Sequence, residues 1–146
     1  MSAKRVKNIW KIVYMTPEQQ VVNDEIYKYF LGIYHLRKLL LEKYELEHNE
    51  NFRSTMTRKA SLIAVSEITW ESAIDSTVKS LERTFTIRLL YILDSKDRKD
   101  FIDEAYDLIS KVHNLKSQKP AILDNLPPPF RIELQPEPPN DTGSEE

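Results

Sequence analysis

Residues 55–93 read TMTRKASLIAVSEITWESAIDSTVKSLERTFTIRLLYIL, and their phase decides the fold. Wound at about 100° per residue, Met56, Ala60, Ile63, Trp70, Ile74, Val78, Leu81, Phe85 and Ile92 fall within about one face. The stripe never slips. One helix from Thr55 to Leu93 is therefore the expected form, roughly 55–60 Å long at about 1.5 Å per residue. The alternative is two helices meeting near Thr69–Ser76, where Ser, Thr and Asp favour caps over helix interiors. A break would ordinarily reset the phase, which favours a single helix, bent if need be.

The surroundings support a helical reading. The only glycines are Gly32 and Gly143, and from Ile33 to Lys119 there is neither glycine nor proline. A β-rich domain needs tight turns and the residues that make them, whereas a helical bundle does not. A first helix opens with Thr16 as N-cap, Pro17 at the first helical position and Gln19 completing a capping box. Its apolar face is Ile26, Phe30, Ile33, Tyr34, Leu41 and Tyr44, fading at the polar cluster Glu47–Asn51. A last helix is capped by Asp94 or Ser95, with a stripe of Phe101, Ala105, Leu108, Val112 and Leu115 widened by Ile102 and Ile109. Its acidic start and basic end suit the helix dipole. The expected fold is all-α, an antiparallel bundle of three long helices, or four if the middle one breaks, with short extended N- and C-terminal segments.

Three regions follow. Residues 1–15 form a basic arm in which Ile9–Met15 reads as a short strand. Residues 16–116 form the bundle. Residues 117–146 form a proline-rich acidic tail, expected to be disordered at its end, in which Phe130–Leu134 alternates apolar and charged like a half-buried strand. The flanking prolines keep that segment extended. Charge is placed unevenly: Lys4, Arg5, Lys7 and Lys11 give the first 17 residues +4, and Glu133, Glu137, Asp141, Glu145 and Glu146 give residues 132–146 −5. With a net charge of −2 overall, the remainder is close to neutral at −1. Such asymmetry marks interaction tails more often than catalytic centres.

At 146 residues and 40% hydrophobic, the chain can bury one core unaided. It has no cysteine, which excludes disulfides, thiolate catalysis and sulfur-ligated zinc. No signal core follows the basic start and no apolar run reaches the ~20 residues that cross a bilayer, so a cytoplasmic protein with no membrane partner is expected.

Catalytic chemistry finds little footing. Glu45-x-x-His48 has the spacing of helical di-iron sites, but such sites need a second pair, and Gly32 and Ser110 stand where His35 and His113 would need acids. No glycine-flanked serine elbow or phosphate-cradling loop occurs. No catalytic residue, cofactor or metal is assigned. Three charges, Arg37, Glu67 and Arg88, fall on the core stripes. They either reach solvent along their stems, or Glu67 pairs with an arginine and fixes register.

Surplus apolar residues point to association. Leu62, Val65 and Ile68, with Ile87 and Leu90, lie off the main stripe and need a cover. The function expected is a non-catalytic protein–protein interaction or assembly module. It would self-associate into a homo-oligomer through Leu62, Val65 and Ile68, and engage a protein partner through Phe130, Ile132 and Leu134. That segment would add to a partner's sheet edge or fold back onto Ile9–Met15 of its own or a neighbouring chain, the plainer alternative being that it covers the apolar back of the long helix. The alternative is a nucleic-acid-binding accessory subunit using Lys4, Arg5, Lys7, Trp10 and Lys11, where cations track phosphates and the aromatic stacks on bases. A small helical enzyme or toxin ranks third.

Overall fold

The computed structural model describes residues 11–12, 15–125 and 133–134. The fold is all-α. Among the described residues there are four α-helices: α1 (Pro17–Lys43), α2 (Asn51–Ala64), α3 (Trp70–Leu89) and α4 (Ser95–Asn114). Two 3₁₀ turns follow, Leu115–Ser117 and Ala121–Asn125. Two-residue strands, β1 (Lys11–Ile12) and β2 (Glu133–Leu134), pair antiparallel with Lys11 opposite Leu134 and Ile12 opposite Glu133.

α1 starts as its sequence dictates. The Gln19 amide N–H donates to Thr16 Oγ1 at 3.1 Å, and Thr16 N–H donates back to Gln19 Oε1 at 2.9 Å. Asp94 caps α4 by accepting from the Asp97 amide at 3.0 Å. Each such cap satisfies a donor that the first helical turn otherwise leaves orphaned.

The single helix over 55–93 is not formed. The chain breaks at Val65–Thr69, just ahead of the expected alternative, and Thr69 caps α3 by accepting from the Ser72 amide at 3.0 Å. The terminator is a left-handed residue. Ser66 has φ 64°, its amide donates to Ile63 O at 3.0 Å, and the Glu67 amide donates to Leu62 O at 2.9 Å. Those paired bonds are the Schellman motif, which usually places glycine where Ser66 stands. α1 ends the same way: Glu45 has φ 56° and donates to Glu42 O at 3.0 Å, while Leu46 donates to Leu41 O at 2.8 Å. The apolar phase survives the break because Ile63 and Trp70 are seven residues apart, two helical turns, with the loop taking up the intervening positions.

The helices meet end against start. Ser61 of α2 donates its hydroxyl to Asn23 of α1 at 3.1 Å, while Phe52 at the start of α2 lies beneath Arg37 in the second half of α1. Trp70, opening α3, donates its indole N–H to Leu115 O beyond α4 at 2.7 Å, and Phe85 meets Phe101 edge-on at 5.8 Å. The core holds Ile26, Phe30 and Leu41 of α1, Met56 and Ile63 of α2, Ile74 and Leu81 of α3, and Phe101 and Val112 of α4. Burying a side chain of this size contributes about 1.5–3 kcal/mol. One end of the bundle thus gathers the end of α1, the start of α2, the end of α3 and the start of α4.

Candidate interaction site

At that end, Lys43, Tyr44 and Glu45 close α1, Tyr91–Asp94 link α3 to α4, and Asp97, Asp100 and Glu104 project from α4. Together they wall a cleft of about 430 Å³. Its floor is hydrogen-bonded: Tyr44 Oη donates to Glu104 Oε2 at 2.6 Å, and Lys43 Nζ lies 2.8 Å from the same oxygen. Bonds from Lys43 and then Tyr44 hold the Glu104 carboxyl below its ordinary pKa. Burial, and then the bond to Glu104, push the Tyr44 phenol well up. At neutral pH the phenol therefore keeps its proton and Glu104 its charge. The lining carries five carboxylates (Glu45, Asp94, Asp97, Asp100 and Glu104) against one lysine, so its field is negative.

Apolar surface flanks the cleft on both sides. The α3–α4 corner exposes Leu90 at 70%, Tyr91 at 66% and Leu93 at 90%. The corner is held in place by Arg98, whose Nη1 donates to Leu89 O at 2.8 Å and to Ile92 O at 3.0 Å. On the other side, Lys43 and Glu104 are shared with a groove of about 260 Å³ between α1 and α4, where Leu36 and Leu39 are exposed. Further along α4, Ile102, expected to widen the core stripe, is exposed instead.

The residues expected from sequence to form contacts are placed differently. Val65 is only 1% exposed, and Ile68 packs half-buried against the core. Leu62 is also half-buried. With Val65 buried and Leu62 and Ile68 half-buried around the break after Ala64, the fully open apolar face inferred from one continuous helix is not present there. Phe130 and Ile132, like Lys4, Arg5, Lys7 and Trp10, lie outside the described residues. Lys11 and Leu134 are described as backbone partners in the β1–β2 pair. Of the destinations expected for the tail segment, the described pairing is the one with the chain's own first strand.

The three stripe charges also resolve. Glu67 is exposed in the α2–α3 connection, so it fixes no register with an arginine. Arg88 is half-buried, but Arg37 is 3% exposed and does not reach solvent along its stem. Glu45 and His48 lie beyond the end of α1 rather than on a helix, and His48 contacts Glu42 and Glu50 at 3.4 and 3.6 Å instead. Among the described residues, no group of three or more His, Cys, Asp or Glu could hold a metal, and no helix is long and apolar enough to cross a membrane.

The corner carried a sequence signal that periodicity hides. Leu89-Leu90-Tyr91-Ile92-Leu93 is an unbroken apolar run, and no single helical face can bury five consecutive positions. The acids after it read as dipole partners, and Asp97 does sit in the first turn of α4, but tertiary contact with the end of α1 also makes Asp97, Asp100 and Glu104 a wall. No family model matches the chain, and neither a curated protein nor a solved structure matches it.

Proposed function

We propose that this chain is a non-catalytic interaction and assembly module of the cytoplasm, and that its docking surface is the acidic cleft with its apolar corner. The observation that carries this reading is the juxtaposition of Leu90, Tyr91 and Leu93, all well exposed, with a cleft carrying five carboxylates. Apolar surface of this kind favours association, and a one-signed cleft selects for a segment of opposite charge. The occupant is a basic segment with apolar anchors.

The chain carries such a segment. The arm Lys4-Arg5-Val6-Lys7-Asn8-Ile9-Trp10-Lys11 has four cations interleaved with aliphatic and aromatic residues. Reach favours a second copy as its host. The 27 residues of α1, about 40 Å at 1.5 Å each, separate the root of the arm at Thr16 from the cleft at Lys43. The 12 residues from Lys4 to Thr16 span about 40 Å only when fully stretched, and two of them are held in the β1–β2 pair. In this reading the tail closes onto its own first strand, and the arm engages the neighbouring copy.

Sedimentation equilibrium tests it. The wild type should exceed its 17.2 kDa monomer mass at micromolar concentration and dissociate as salt rises. Asp97→Lys with Asp100→Lys should give monomers, as should Lys4→Glu with Arg5→Glu and Lys7→Glu. Mixing the two charge-reversed proteins should restore association. A wild type that remains monomeric throughout refutes self-assembly, and reversed variants that still associate refute the cleft.

A further inference from the structure

The outward side of α1 carries a seam that the bundle leaves uncovered. Glu25, Tyr29, Gly32, Leu36, Leu39 and Lys43 follow one another at alternating steps of four and three, the spacing along which one helix lies against another. Ile26, Phe30, Ile33 and Leu41, on the other side, face the core. Leu36 and Leu39 are 47% and 63% exposed. Tyr29 is also exposed, its ring held edge-on to Trp70 with centroids 5.5 Å apart. A Cβ added at Gly32 would meet nothing within 4 Å, so the helix surface is bare there. Leu36, Leu39 and Lys43 also line the groove shared with α4. Asp107 and Lys111 on its other wall neutralise each other at 3.1 Å.

The seam is complementary to itself. A second α1 can run the opposite way about a two-fold axis level with Tyr34. Gly32 then faces Leu36 of the second copy, Tyr29 faces its Leu39, and Glu25 faces its Lys43. Symmetry repeats each pair. Size matches size, because a leucine enters the open space above a glycine. Charge matches charge on the flank as well, where Lys28 comes within about two helical positions of the second copy's Glu42. Lys43 already donates to both oxygens of Glu104, at 3.0 and 2.8 Å, but an ammonium has three donors and keeps one for Glu25 of the second copy. A parallel pair loses all of this. It sets Glu25 against Glu25, Lys43 against Lys43 and Gly32 against Gly32.

We infer that two copies of the chain dock antiparallel along α1, with Leu36 of each seated over Gly32 of the other. The inference rests on the reading that copies associate through arm and cleft, and it supplies a geometry for that exchange. In this register Thr16 of one copy stands nine helical positions, about 14 Å, past Lys43 of the other. The length of α1, about 40 Å, separates Thr16 from Lys43 within one chain. Each basic arm therefore begins near the acidic cleft of the second copy.

Sedimentation and spin-label distances test the seam. Leu36→Glu with Leu39→Glu should weaken the dimer roughly a hundredfold or more and leave the helical circular-dichroism signal intact, since both side chains are exposed. Gly32→Lys, entering open space in the monomer, should weaken it comparably with no loss of helix. The chain has no cysteine, so Val21→Cys and His35→Cys each give a single labelling site. The two labels of a dimer should lie about 40 Å apart at position 21 and within about 20 Å at position 35. Short distances at both positions mean a parallel pair and overturn the register. Seam variants that associate as tightly as the wild type overturn the seam and leave arm and cleft standing. Monomeric seam variants beside charge-reversed cleft proteins that still pair keep the seam and remove the cleft. A wild type that stays monomeric overturns both.

Discussion

Glu104 accepts from a phenol and an ammonium on one oxygen, and its titration reports on both. Its folded pKa lies below the ordinary value of 4.5. The sign follows from linkage: the carboxylate form is favoured by folding, so the contribution is present above pH 4.5 and is lost as pH falls through the depressed folded value. Lys43→Gln should therefore move the carboxyl pKa of Glu104 up towards 4.5, and Tyr44→Phe should move it up by less, since the Lys43 bond is the larger cause. A carbon-detected carboxyl titration would show it, and an unmoved Glu104 in both variants would separate the shift from these bonds. The residues of this site were legible only singly. Sequence marks Tyr44 as an apolar position and Glu104 as an acid in a helix start, but their contact spans 60 positions of chain and no periodicity carries that distance. Arg37 was legible as a charge on a core stripe. Its burial was not, because phase gives the direction of a side chain and leaves out what covers its tip.

The α2–α3 connection carries the lesson of the element scale. Caps were readable wherever a side chain does the capping, as at Thr16 and Asp94, because Thr and Asp advertise that chemistry. The breaks after α1 and α2 are made by backbone, with Glu45 and Ser66 in the left-handed region that glycine marks in most proteins. A glycine-free stretch therefore read as continuous helix, and the fourth helix stood only as the alternative. This left-handed conformation costs an L-residue roughly 1–2 kcal/mol, less the backbone entropy that glycine would lose. Ser66→Gly should consequently stabilise the fold by about 0.5–1 kcal/mol in urea unfolding, and Ser66→Val, β-branched in the same position, should destabilise it. Equal stabilities for the three proteins would mean that the break does not depend on residue 66.

At the scale of the whole molecule, β1 and β2 bring the two flanks of the bundle to one place. Lys11 and Leu134 stand opposite each other in an antiparallel pair, where Cα atoms lie about 4.5–5.5 Å apart, within disulfide range. The chain has no cysteine, so Lys11→Cys with Leu134→Cys adds two thiols to a clean background. Oxidation should give a faster-migrating monomer on a non-reducing gel. A disulfide-linked dimer instead would show that the strands exchange between copies. A last consequence comes from Tyr91, whose ring borders the acidic cleft on one side and lies beside Arg88 on the other. A basic segment docking at the cleft would therefore meet Arg88 beyond that ring, and like charges there would limit how far its cations extend past the carboxylates. Arg88 and Tyr91 would together set the register at which the segment stops.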